Sequence, residues 1–183
     1  MTEQPPEMTT AGSARSARSA RILDPAFVEG FQDLSTDELR ARRDEAREEL
    51  EYLSYLRRVV QTRQDVLHAE RALRDAGPFP TPLAEVLTGP RQGGSRGEAV
   101  RLSIPAEDMA DAEARVDAML GERALTLPKN LDDEALQQSI DALDQAEHAI
   151  SADRTEVIRV HDRLQEELKE RYRDDPSQIP SEI

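Results

Sequence analysis

The chain has 183 residues and a formal net charge of −14, with 34% of its residues charged, 3% aromatic, no Trp and 37% hydrophobic. So little bulky apolar material excludes a thick globular core and favours a long, thin helical body. The acid excess excludes an extended nucleic-acid face, which needs clustered cations, and favours a basic protein partner; zero Cys removes disulfides, thiolate zinc sites and thiol redox sensing together.

Residues 1–21 run from a Pro- and Thr-rich start into Ser-Ala-Arg triplets at 13–15, 16–18 and 19–21, a composition that predicts a disordered tail. Residues 22–34 form a short apolar segment built on Ile22, Leu23, Phe27, Val28, Phe31 and Leu34 and broken by Pro25 and Gly30. It holds two of the three Phe, so it reads as a docking segment. Ser35 and Glu38 then give a capping-box signal. No Pro or Gly follows until Gly77, which predicts a first long helix over 35–76, roughly 60 Å in length.

The linker, 77–130, starts in a breaker cluster from Gly77 to Pro82 and carries a Gly-rich stretch from Gly89 to Gly97. That stretch lacks the Lys-Ser/Thr ending and the preceding strand of a phosphate loop, so a nucleotide-triphosphate role is not expected. A short helix is predicted over 105–120, opened by Pro105, closed by Gly121 and presenting Met109, Ala112, Val116 and Leu120 on one face. A second long helix is predicted over 131–173, followed by a C-terminal tail, 174–183.

Both long segments carry heptads. Leu39, Ala46, Leu53, Val60 and Leu67 recur every seven residues in the first, and Leu136, Leu143, Ile150, Val157 and Leu164 in the second. Sustained heptads mean a coiled-coil seam. The fold class expected is all-α, two long helices in an antiparallel coiled-coil hairpin with a short helix in the connection. Pairing Leu53 with Val157, Val60 with Ile150 and Leu67 with Leu143 keeps one index sum. That register puts Arg57 and Arg154 within about 1.5 Å of the same height.

Beside each seam runs a polar stripe. Ser54, Arg57, Gln61 and Asp65 form the first; Glu147, Ser151, Arg154 and Asp162 form the second, and Ser-x2-Arg-x7-Asp is common to both. At roughly 100° per residue each stripe occupies one helix face, and the antiparallel pseudo-dyad keeps both on one side of the hairpin. Two Arg, two Ser and two Asp about a two-fold axis offer no nucleophile–base pair. They suit guanine and phosphate. Arg donates twice to guanine O6 and N7, a carboxylate accepts from N1–H and the exocyclic amine, and Arg pairs with phosphate. His68, His148 and His161 share no ligand spacing, so no metal is expected. With no bilayer-length apolar run and no signal peptide, the expected compartment is cytoplasmic.

The stripes resemble the E-x3-S-x2-R-x3-Q-x3-D signature of the RsiG family of actinobacterial anti-sigma factors. The first copy has Leu50 where the family has Glu, with Glu49 and Glu51 beside it as possible replacements; the second has Ile158 where the family has Gln. The resemblance implies a non-enzyme that holds two molecules of cyclic di-GMP on an antiparallel coiled coil, through the eight stripe residues. It also implies that the liganded form sequesters a sigma factor of the WhiG/flagellar, sporulation-linked class from RNA polymerase. The competing expectation is a structural or adaptor coiled coil with no small ligand.

Overall fold

A computed structural model describes residues 11–76 and 104–179. The start of the predicted tail, the breaker cluster and the Gly-rich stretch of the linker, and the last four residues lie outside the described residues.

Four α-helices and several single 3₁₀ turns are seen among the described residues, and no strand. They are α1 (Ala11–Leu23), α2 (Thr36–Asp75), α3 (Ala106–Leu120) and α4 (Asp133–Asp174). The two long helices agree with the heptad segments to within two residues at every end. Helix α2 starts where the sequence signals it: Ser35 Oγ accepts from the Glu38 N–H (3.2 Å) and Glu38 Oε2 accepts from the Ser35 N–H (2.8 Å). This reciprocal pair satisfies donors that a helix start leaves open. At α4, Asp132 caps the Ala135 N–H at 2.7 Å.

Helices α2 and α4 pack along their lengths in opposite directions. Near the start of α2, Arg40 Nε donates to Tyr172 Oη (2.7 Å) and Arg43 Nη1 to Gln165 Oε1 (2.9 Å). Near its end, Gln64 Nε2 donates to Asp144 Oδ1 (2.7 Å) and Arg74 Nη1 to Asp133 Oδ1 (2.8 Å). Between these bonds the predicted seam is buried: Leu39, Ala46, Leu53, Val60 and Leu67 against Leu136, Leu143, Ile150, Val157 and Leu164. Leu56, Ile140 and Leu168 widen it.

Arginine fastens both ends. Arg74 also bonds Glu70 (2.9 Å) and the carbonyls of Pro128 (3.0 Å) and Leu131 (2.9 Å). Arg171, near the end of α4, donates to the carbonyls of Leu34 (2.6 Å), Gln32 (2.9 Å) and Phe31 (3.2 Å). The second clamp seats the 22–34 segment, whose Ile22, Phe27 and Phe31 are buried in the common core. Arg163 lies over the Phe31 ring at 4.9 Å.

The expected disordered tail is corrected from Ala11 onward, where the Ser-Ala-Arg triplets form α1. Its cause is non-local. Glu49 of α2 is fully buried (0% exposed), accepts from Ser19 Oγ, and lies 3.1 Å from Arg18 Nε, a pair within ionic reach but not aligned as a hydrogen bond. A buried carboxylate needs such compensation, so Glu49 draws a helix-competent basic segment onto α2. Arg21 pairs with Glu45 one turn away.

Helix α3 buries Ala112, Val116 and Leu120 as predicted, but Asp108 takes the buried place expected of Met109, which is half-buried. The face therefore follows an i, i+4 line from Asp108. Helix α3 leans on α2, with Tyr52 Oη donating to Asp111 Oδ2 at 2.7 Å and Arg63 paired to Asp117 at 3.2 Å. Gly121, at φ +60, ends it in a conformation that L side chains rarely adopt.

Helices α1 and α3 share a flank. Their contacts on α2, at Glu45, Glu49, Tyr52 and Arg63, lie on one side of the seam. Ser54, Arg57 and Gln61 point roughly 140° to 200° round the helix from Tyr52. The polar stripes are thus left on the uncovered side.

Truncating the seam should cost far more than cutting a surface pair. In urea melts, Leu56→Ala is expected to lower stability by about 2–5 kcal/mol, whereas Lys169→Ala, which removes an exposed pair with Glu166, should cost less than about 1 kcal/mol. Equal losses would contradict a core placed on this seam.

Candidate functional site

Six of the eight predicted residues meet midway along the helix pair in two neighbouring hydrogen-bonded groups that together make one belt. Arg57 Nε of α2 donates to Glu147 Oε1 of α4 at 2.7 Å, and Gln61 Nε2 reaches the same oxygen at 3.5 Å. Ser151 Oγ, one turn along α4, donates to it as well, at 3.0 Å. In the other direction across the seam, Arg154 Nε donates to Ser54 Oγ at 3.0 Å, and Ser54 Oγ donates to the Leu50 carbonyl at 2.7 Å.

Helix periodicity explains the meeting. Ser54, Arg57 and Gln61 are three and four residues apart, as are Glu147, Ser151 and Arg154, so each set makes a continuous row. The antiparallel register brings the rows edge to edge. Ser54–Arg154, Gln64–Asp144 and Arg43–Gln165 share one index sum, so a single register governs the seam well beyond the belt.

Asp65 and Asp162 stand apart. Both are exposed, two turns from Arg57 and Arg154 respectively and towards opposite ends of the pair; among the described residues Asp162 makes a 3.2 Å contact with His161 Nδ1 and none with the belt. They flank the belt without joining it.

The departures at Leu50 and Ile158 have visible consequences. Leu50 is partly buried against the core. Neither acidic neighbour replaces the missing carboxylate: Glu49 is turned to α1, and Glu51 lines a groove towards α3 together with Tyr52 and Asp108. Ser54 and Ser151 both bond four residues back, but Ser151 finds the Glu147 carboxylate while Ser54 finds a backbone carbonyl. Ile158 is half-buried and brings no polar group where Gln61 has its amide.

Electrostatically the belt is an island in an acidic body. Arg57, Arg154 and the exposed Arg58 outnumber Glu147, the one carboxylate in the belt. The bond from Arg57 holds the Glu147 carboxyl below its ordinary range, aided by Ser151 and by the charges of Arg57 and His148, against the opposing effect of burial. On the covered flank, burial and the bond to Asp111 push the Tyr52 hydroxyl up to about 12. It therefore stays protonated and braces α3. Among the described residues no group of three His, Asp or Glu could hold a metal ion, and no described helix is long and apolar enough to cross a membrane.

Sequence reasoning did not find the Glu49–Arg18–Ser19 contact or the Tyr52–Asp111 bond. The available signal for the first was faint: Glu49 sits among other acidic residues, three and four positions from the seam residues Ala46 and Leu53. Nothing local marked the second, which depends on how α3 folds back.

Comparison with known proteins adds one family. The model described as RsiG-like matches residues 25–87, a stretch that holds the docking segment from Pro25 onward, all of α2 and the first stripe. The resemblance carried by the motif is borne out over this part of the chain. No curated protein and no solved structure matches the chain.

The lowered Glu147 pKa has a pH signature. Because the folded value lies below the unfolded one, the stability it brings is complete above the unfolded glutamate pKa and is lost as pH falls through the folded value. The stability gap between the wild type and Glu147→Gln should be widest near neutrality and close as the pH falls through the folded value. Urea melts at several pH values check this; a gap that widens in acid would contradict the Arg57–Glu147 pair.

Proposed function

We propose that this RsiG-like chain is an anti-sigma factor that binds cyclic di-GMP on the stripe side of α2 and α4 and, when liganded, sequesters a sigma factor of the WhiG/flagellar class. The observation that carries the reading is the belt, in which Ser54, Arg57 and Gln61 meet Glu147, Ser151 and Arg154 across one seam. Two separated stripes of sequence become one surface, on the flank that α1 and α3 leave uncovered.

The chemistry fits a cyclic dinucleotide. Arg57 and Arg154 supply guanidinium donors for guanine O6 and N7 or for phosphate. Asp65 and Asp162, exposed at either end of the belt, supply acceptors for guanine N1–H and the exocyclic amine. A pseudo-two-fold pair of half-sites suits a ligand that is itself two-fold, and two molecules would fill it. An acidic chain accepts an anion only where arginines reverse the local sign, which confines binding to the belt.

The partner follows from the family and the charge. A net charge of −14 attracts the basic surfaces with which a sigma factor meets DNA, and complementary charge speeds and orients such an encounter. A ligand bridging the two proteins would couple their affinities, each raising the other by the same factor. The reading is of a binding protein, with no reaction assigned.

The test is calorimetric titration of the full chain with cyclic di-GMP, alone and with a WhiG-type sigma factor present. Saturable binding is expected, and it should weaken about 10- to 100-fold in Arg154→Ala with helicity by circular dichroism unchanged. No heat in either titration up to high micromolar ligand would overturn the proposal in favour of a coiled coil without a small ligand.

A further inference from the structure

The two arginines that the motif makes equivalent are not equivalent in their surroundings. Arg57 donates to a carboxylate, Glu147, at 2.7 Å in an ion pair whose side chains are 39% and 19% exposed. Arg154 donates to a neutral hydroxyl, Ser54 Oγ, at 3.0 Å. Among the described residues no carboxylate lies within ion-pair distance of Arg154. The cause is one substitution in the pattern: the pseudo-dyad that relates Arg57 to Arg154 relates Glu147 to Leu50, which offers only its backbone carbonyl, already bonded to Ser54 Oγ at 2.7 Å.

An anion therefore meets two different tasks on the same face. At Arg154 it replaces a hydroxyl, giving up a charge–neutral hydrogen bond for a charge–charge one. At Arg57 it must displace Glu147, and the released carboxylate stays close, still bonded by Ser151 at 3.0 Å. Like charge beside the incoming anion then opposes it. Gln61 also gives its amide to Glu147, so two side chains of that half are engaged internally.

We infer that the site fills in order, the Arg154 half first, and that Glu147 is an internal competitor that lowers the affinity of the Arg57 half. The inference rests on the cyclic di-GMP reading above and adds to it which half binds tightly and which residue sets the gap. It gives Glu147, one of the eight stripe residues, an affinity-setting role in the unliganded chain, where it holds Arg57. Its consequence is a graded response: low ligand loads one half, and the complete pair forms only at higher concentration or when a partner contributes binding energy.

Calorimetry of the full chain with cyclic di-GMP tests this through three variants. Glu147→Gln keeps the size of the side chain and its ability to accept from Ser151 while removing the charge, and should tighten the weaker step about three- to tenfold. Arg154→Ala should remove the tighter step; Arg57→Ala should leave that step within about twofold and abolish the weaker one. Circular dichroism is the control, and each variant is expected to retain its helices. Weaker or unchanged binding in Glu147→Gln, or equal losses in the two arginine variants, would overturn the ordered filling while leaving cyclic di-GMP binding intact. No binding by the wild type, with or without a WhiG-type sigma factor, would overturn the functional reading and this inference with it.

Discussion

The register between α2 and α4 is the constraint on which everything else depends. A polar belt made from two helices exists only if both rows arrive at the same height, and a shift of a single residue would turn a side chain by about 100° and move it about 1.5 Å. Apolar heptads alone fix such a register loosely, because the pattern repeats every seven residues. Here the ends are tied by groups that do not repeat: Arg74 on the carbonyls of Pro128 and Leu131, and Arg171 on those of Gln32 and Leu34. Guanidinium is suited to this duty, since its fork reaches several acceptors at once.

The same register divides the surface by task. One flank of the helix pair is covered by α1 and α3 and holds the buried carboxylate Glu49, the Tyr52–Asp111 bond and the apolar contacts of Ala112 and Val116. The other carries arginines and hydroxyls that are only partly buried. Stability is concentrated on the first flank, and the proposed recognition lies on the second. Changes to the belt can then leave the core alone, because the belt residues contribute little apolar burial.

Much of this was legible in the sequence where the cause is local or periodic. The Ser35–Glu38 cap, the heptad lines and the row Ala112–Val116–Leu120 each follow from spacings of three, four or seven residues, and the structure reproduces them. The helix α1 was not legible, because Ser-Ala-Arg triplets look like low-complexity tail until a buried Glu49 supplies a reason for them to dock. Within the candidate site, the repeated spacing announced the arginines, and the resemblance to the family signature marked Leu50 as standing where a Glu is expected. It did not announce that Arg154 would settle on Ser54, since that choice depends on which neighbour the fold leaves vacant. Asp65 and Asp162 illustrate the limit of motif arithmetic: they keep the spacing yet sit outside the belt.

The pairing of Arg18 and Ser19 with Glu49 carries one more implication, for how the N-terminal segment can vary in length. The residues that dock are drawn from a unit written three times, and Arg15 and Ser16 repeat the Arg-Ser step of Arg18 and Ser19. Loss of one triplet upstream of Ile22 would deliver the same two side chains to the same carboxylate. Because the unit repeats without change, an Arg and a Ser still stand four and three residues before Ile22, and the face presented is the same. The lock is thus indifferent to slippage of its own repeat, while Ile22, which occurs once and is fully buried, marks where the sliding stops.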